Sequence, residues 1–385
     1  MKFYEKIQIN PSITFIKGKV YPFIEMANVD FYARSPKQVE SQEFSSGVKF
    51  EKGDTIIARI EPCLQNGKGF YAKELICGFG STEFLVFRPK DESVDNLFLY
   101  YYLQSEYIRK SMIASMTGAT GRQRVNNDVF LNLDVDIPSL PSQHRIANIL
   151  SAYDDLIENN QKQIKLLEEA AMRLYKEWFV NLRFPGHENT TTVGGVPEGW
   201  MRSNFESLCT LIKDTITPKD ITIETPYIGL EHMPRKNFCL NEWGYSQGIN
   251  SNKFRYLKND VLFGKIRPYF HKVGFAITDG VCSTDAMVFR AKDDMFGLLL
   301  MTAFSEAFVN HTYQTCKEGA KMPRADWNEM KQYPVLIPHE TILKDFNKKI
   351  ETITKLVNAL CMQIVFLKEA RDKLLPKLMS GEIKV

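Results

Sequence analysis

The 385-residue chain has seven cysteines, an odd and scattered number with no Cys-x-x-Cys pair. Disulfide frameworks and cysteine zinc sites need regular spacing, so these thiols read as free, in a reducing compartment. The six histidines (144, 187, 232, 271, 311, 339) stand at no ligand spacing to another histidine or cysteine, and no metal site is expected. No Gly-x-x-x-x-Gly-Lys-Ser/Thr loop is present to cradle a nucleotide phosphate. No strand–turn–helix elbow frames a Ser–His–Asp nucleophile. The opening residues, Met1-Lys-Phe-Tyr-Glu5, form no apolar export core, and no apolar run approaches a membrane span. Net charge is only +3, so any basic footprint has to be local. These absences point to a cytoplasmic, soluble chain with no catalytic centre or cofactor of its own.

What the chain has instead is an internal repeat. Apolar residues make up 44% and charged residues 25%, as in an ordinary globular protein, and the length suffices for two domains. A long amphipathic segment at 142–180 returns at 342–380 in the same phase. The first seam runs through Ile146, Leu150, Tyr153, Ile157, Asn160, Ile164, Leu167, Ala171, Leu174 and Trp178. The second runs through Phe346, Ile350, Ile353, Val357, Leu360, Ile364, Leu367, Arg371, Leu374 and Leu378. Alternating steps of four and three are a heptad pattern, and a continuous apolar seam of this length needs a partner. Antiparallel pairing with full overlap places Tyr153 across from Arg371, Ala171 across from Ile353 and Trp178 near Phe346. Arg371 is the one charge in the seam, and Tyr153 would offer it an aromatic face. Asn160 is a second polar position, facing Ile364 in this register.

A mixed globule precedes each helix. Lys52-Gly-Asp-Thr-Ile-Ile-Ala-Arg-Ile-Glu-Pro62 is echoed by Lys258-Asn-Asp-Val-Leu-Phe-Gly-Lys-Ile-Arg-Pro268, and Ser81-Thr-Glu-Phe-Leu-Val-Phe-Arg88 by Ser283-Thr-Asp-Ala-Met-Val-Phe-Arg290. Residues 55–60 and 83–88 read as strands, 94–112 as helix, and 133–137 as a final strand before Pro138, echoed at Ile337-Pro338. Gly78-Phe-Gly80 reads as a turn, and the aromatic run Phe98 to Tyr102 as core. The expected division is a first globule over 1–141, a long helix over 142–182, a Pro/Gly/Thr-rich linker over 183–200, a second globule over 201–338 and a second long helix over 339–385. Shared scaffold with unshared loops suits two recognition heads of different specificity.

The central segment carries a resemblance. Gln143-x-Arg145-Ile146-Ala147-x-Ile149-Leu150, Asp154-Asp155-x-Ile157-Glu158-x-Asn160, and Leu174-Tyr175-x-x-Trp178-Phe179-Val180 through Arg183-Phe184-Pro185-Gly186-His187 resemble the central conserved region of the DNA-specificity subunit of type I restriction–modification enzymes. Val196-Pro197-Glu198-Gly199-Trp200 resembles the start of a target-recognition domain, and Leu374-Leu-Pro-Lys-Leu-Met-Ser-Gly381 the family's ending. The first globule lacks the proline–glycine–tryptophan opening. The resemblance implies an α/β (mixed α+β) fold with two target-recognition domains in a pseudo-twofold repeat, separated by two long antiparallel coiled-coil helices. It also implies a non-catalytic reader of a bipartite, asymmetric sequence in double-stranded DNA. Two modification subunits would dock on it and methylate one adenine per half-site, and restriction subunits can join them. S-adenosylmethionine, ATP and Mg²⁺ would be carried by those partners. The chain has no Asn-Pro-Pro or Asp-Pro-Pro, so it does not itself resemble an adenine methyltransferase at the catalytic motif. Other readings are the recognition subunit of a system that fuses cleavage and methylation in its partner, a coiled-coil protein scaffold, and last a stand-alone enzyme.

Candidate DNA contacts follow from side-chain chemistry. Arginine pairs bidentately with guanine, and Asn or Gln with adenine. The first globule offers Gln65, Asn66 and Lys68 in one loop, and Arg122, Gln123, Arg124 and Asn126 in a loop opened by Gly118. The second offers Lys265, Arg267, His271 and Lys272, then Lys321 and Arg324 in the stretch beginning at Gly319-Ala320. Arg124 and Arg324 sit at the same repeat offset, which sets them apart from ordinary solvated charges.

Overall fold

A computed structural model describes residues 1–385 except 31, 75, 76 and 318–320. It divides into two compact units, residues 1–158 with 366–385, and residues 159–365. The division cuts through both long helices, whereas the expected boundaries lay at their ends. In the first unit Ile146, Ala147 and Leu150 of the first long helix and Leu378 of the second share one core with the globule.

In the first unit, strands Ile7–Ile9, Phe84–Pro89, Thr55–Ala58 and Gly69–Tyr71 form an antiparallel sheet in that order. A second sheet is ordered Glu40–Glu43, Val20–Ile24, Cys77–Gly80, Val48–Glu51, with its central pair parallel. The two sheets close on Ile24, Phe50, Ile56, Phe70, Phe84 and Val86, all buried. Gly78 and Gly80 therefore lie within a strand and not in a turn. A Cβ on either would meet the carbonyl oxygen of Pro22 at 2.9 Å or of Ile24 at 2.7 Å, so glycine allows the close strand approach. The helical stretch forms two helices, Asn96–Leu103 and Glu106–Ala114, because Ser105 adopts an extended conformation between them. The aromatic run is buried as core. Residues 133–137 form no strand; Asp134 makes one isolated bridge to Lys2.

The second unit repeats this plan. Cys209–Ile212, Ala286–Ala291, Val261–Gly264 and Val273–Ala276 pair in the order of the first sheet, with Cys239–Leu240 added at the edge. Gly244–Tyr245, Pro226–Ile228, Gly280–Cys282 and Lys253–Tyr256 match the second sheet, again with the middle two of these parallel, and Thr215–Ile216 is added beside the last. Helices Phe296–Phe304, Glu306–Gln314 and Trp327–Met330 follow, and Ser305 caps the second of them through Phe308 N. Here the final segment, Pro334–Ile337, is a true strand because Met201–Asn204 lies antiparallel beside it. The repeated motifs hold the sheets together. Arg88 grips Asp54 at 2.6 and 2.7 Å, and Arg290 grips Asp260 at 2.9 and 2.7 Å.

The long helices are Leu140–Tyr175, continued by a π-turn at Lys176–Val180, and Glu340–Met379. The second is long and apolar enough by composition to cross a membrane, yet Phe346, Ile350, Val357, Ile364 and Leu378 in its seam are buried within the protein. Their pairing falls within one residue of the expected register: Asp154 meets Arg371, Asn160 meets Gln363, and Trp178 meets Phe346 with ring centroids 5.7 Å apart. Leu150, Ile157, Ile164 and Trp178 are buried as expected. Tyr153, Leu167, Leu360 and Leu367 are only half-buried, and three of their C-terminal neighbours, Asp154, Glu168 and Cys361, are buried instead. Each helix packs on a globule as well as on its partner, which widens the covered stripe beyond a two-position seam. Arg371 is accordingly neutralised by Asp154 at 2.5 Å, not by the ring of Tyr153. Asn160 donates to Gln363 at 3.1 Å and does not face Ile364 unpaired.

Candidate functional site

The candidate residues converge where the first sheet of each unit meets a loop from the helical side. In the first unit the hairpin from Thr117 to Arg124 is closed by paired backbone hydrogen bonds between those residues, each 2.9 Å. Gly118 (φ 120°) and Gly121 (φ 79°) supply conformations that other residues rarely adopt. Val125 N donates to Arg59 O at 3.0 Å and Glu61 N to Gln123 O at 3.0 Å, fastening the hairpin to the end of strand Thr55–Ala58. Glu61 then joins the two candidate loops: its carboxylate accepts from Gln65 Nε2 at 2.9 Å and from Gly121 N at 3.1 Å. Gln65, Asn66 and Arg122 are exposed on this surface, with Gln123 half-buried beside them.

The second unit fastens its loop in the same way. Ala325 N donates to Lys265 O at 2.9 Å and Arg267 N to Pro323 O at 2.8 Å. Lys321 and Arg324 are exposed, and Arg267, in a left-handed conformation before Pro268, is half-buried. Gly319 and Ala320 lie outside the described residues. Burial lowers the Lys265 ammonium below its usual range; Asp285 opposes this, while Lys213 and Arg324 add to it. Lys265 Nζ donates to Thr284 O at 2.7 Å.

Several expected contacts face inward. His271 is 3% exposed, its Nε2 lies 2.8 Å from Phe304 O, and burial depresses its pKa, so it is a core residue. Lys272 donates to the Leu230 carbonyl, and burial lowers its ammonium too. Lys68 reaches Met26 O at 2.9 Å. Asn126 caps helix Asn127–Leu131 by accepting from Asp128 N and Val129 N, the position that Asp326 fills in the second unit. Each has a polar side chain suited to DNA, but an interior partner has claimed it.

Arg124 and Arg324 are both held by carboxylates. Arg124 Nη2 lies 2.6 Å from Glu83, and Arg324 Nη1 lies 3.0 Å from Asp285. The Arg124 guanidinium holds the Glu83 carboxyl below the usual carboxylate range.

Some residues of the site carried no sequence signal of their own. Arg109 donates to the carbonyls of Leu64 and Gln65, bracing the loop beneath Asn66, and lies over the Tyr32 ring at 4.7 Å. Arg235 lies 3.9 Å over the Phe270 ring beside Arg267. Arg59 occupies the place of Lys265, and aligning the two repeated strings would have found it. Among the described residues no group of three or more His, Cys, Asp or Glu is placed to hold a metal ion.

A family model described as the type I restriction modification DNA specificity domain matches residues 7–169. The chain is 24% identical over 319 residues to the MjaIX type I restriction enzyme specificity subunit of Methanocaldococcus jannaschii, covering 77% of this chain and 71% of that one. It is 22% identical over 323 residues to the EcoDI specificity subunit of Escherichia coli, covering 74% and 70%. Among solved structures, the type I restriction–modification S subunit from M. genitalium shares the fold with a TM-score of 0.59 at 13% identity, over 98% of this chain and 95% of that one.

Proposed function

We propose that this chain, whose residues 7–169 match the type I restriction modification DNA specificity domain, is a DNA-specificity subunit of a type I restriction–modification enzyme, and that each of its units reads one half of a split duplex sequence. The observation that carries the reading is a duplicated scaffold with unlike loops. A symmetric dimer reads a palindrome because its symmetry is copied into its site. A duplicated chain whose heads have diverged suits an asymmetric site. In the first head Arg122 has the chemistry to recognise guanine, and Gln65, Asn66 and Gln123 to recognise adenine. In the second, Lys321 is the exposed counterpart and Arg267 a half-buried one, with Lys213 suited to phosphate. Such contacts make affinity fall as salt rises.

The bond-making chemistry would belong to partner subunits. Two modification subunits would dock on the long helices and carry S-adenosylmethionine, and restriction subunits would bring ATP and Mg²⁺. Exposed apolar side chains at matching positions of the two helices, Leu156 with Leu356 and Leu166 with Phe366, support such docking. The chain's own part is recognition, in the cytoplasm where the DNA is. The test is a map of N6-methyladenine across the host genome with and without this gene. Loss of methylation from both halves of one split motif is the expected result. An unchanged map in cells expressing the chain with its partners would sink the reading in favour of a protein scaffold.

A further inference from the structure

Each unit carries the same three charged groups in the same place. A basic residue follows the central strand (Arg59 or Lys265), an acid precedes the adjacent strand (Glu83 or Asp285), and an arginine stands at the base of the recognition loop (Arg124 or Arg324). The backbone repeats as well. Arg59 N donates to Glu83 O and Lys265 N to Asp285 O, both at 2.8 Å. The acid's own turn repeats: Ser81 Oγ accepts from Glu83 N and Ser283 Oγ from Asp285 N, both at 3.2 Å. The acid therefore holds the strand-end residue by its backbone and the loop arginine by its side chain.

Two considerations separate this assembly from the base-reading groups. A side chain that makes the two heads read different bases has to differ between them, yet these three groups keep their charges while the loops around them diverge. A carboxylate on a DNA-facing surface also repels phosphate, so its presence in both heads needs a compensating role. Gripping the arginine supplies one, because Arg124 also makes the backbone pairs that close the hairpin.

We propose that Glu83 and Asp285 are positioning residues: each clamps the arginine at the base of its loop, and discrimination falls to the residues beyond the clamp, Arg122 and Gln123 in the first head and Lys321 in the second. The proposal rests on the DNA-reading function above. It reassigns Arg124 and Arg324 from direct readers to parts of the clamp.

The test uses the full chain assembled with its modification subunits, reading methylation of duplexes that carry the split site or single mismatches in either half. Glu83→Gln is expected to lower methylation about three- to fivefold, the size of effect a half-exposed ion pair can have. It should raise mismatch tolerance in one half-site only, and Asp285→Asn should do so in the other, both with an unchanged unfolding midpoint. The charge-exchanged double variant, Glu83→Arg with Arg124→Glu, should recover most of what Arg124→Glu alone loses. Tighter DNA binding by Glu83→Gln with unaltered discrimination would show a mere surface acid and overturn the clamp. A double variant as poor as Arg124→Glu would show that Arg124 touches DNA directly, with the same consequence. A wild-type complex with no split-site preference would instead remove the DNA-reading premise, and the clamp with it.

Discussion

Arg371 and Asn126 show how a side chain's partner decides what it does. Arg371 is 5% exposed and lies against Asp154, itself 2% exposed, which also accepts from Tyr101 OH at 2.6 Å. Removing Asp154 leaves the buried guanidinium to the exposed carboxylate of Asp372, 2.9 Å away, and leaves Tyr101 OH without its acceptor. Asp154→Ala is therefore expected to lower unfolding stability by about 3–5 kcal/mol, measured by urea titration. A loss below about 1 kcal/mol would mean that water reaches the pair. Asn126 has the chemistry of an adenine reader but is spent on a helix cap. Asn126→Ala should cost about 1 kcal/mol of stability and leave base preference alone. Arg122→Ala should do the reverse, leaving the melting curve in place while weakening discrimination at one base pair by roughly tenfold. Equal effects of the two on base preference would contradict the assignment.

Glu168 on the first long helix is the element-scale counterpart. It is 7% exposed and accepts from Phe238 N at 2.9 Å, which ties the helix to the segment leading into strand Cys239–Leu240. Burial raises its pKa from 4.5 to about 7, against the opposing pull of the Phe238 and Cys239 amides. Folded protein thus keeps this proton at pH values where the unfolded chain has released it. Stability from this group is greatest below about 4.5 and declines as pH rises to about 7. Glu168→Gln should flatten that slope and stabilise the protein at pH 8 by about 2 kcal/mol. An unchanged slope between pH 5 and 8 would show that the carboxyl is solvated. Asn160 with Gln363 gives each helix a polar partner on the other, a device that favours one register over slipped ones.

For the whole molecule, what matters is that one chain holds two scaffolds of the same strand order with different loops. Replacing residues 117–124 with the corresponding loop of a specificity subunit that reads another sequence should change one half-site and leave the other, as seen in methylation maps. Changes in both halves would mean that the loops do not act separately. Raising salt should weaken both halves together, because phosphate contacts carry no sequence information.

The heptad steps, the echoed strings and the linker composition were legible because each is local: periodicity and turn chemistry act over a few residues. Register was legible to within one residue, since two apolar seams of equal length overlap fully in only one antiparallel alignment. What pairs with each polar group was not. Asp154, Gln363, Glu83 and Asp285 became partners through contacts far apart in sequence, and composition does not encode such contacts. The same reason buried His271, turned Lys272 and Lys68 inward, and made a strand of Gly78 to Gly80. Sequence alone determined that there are two heads and two long helices, because repetition and amphipathic period are properties of the string. Only the tertiary structure decided which charges face solvent, because that depends on whether a carbonyl or carboxylate from a distant segment arrives within hydrogen-bonding distance.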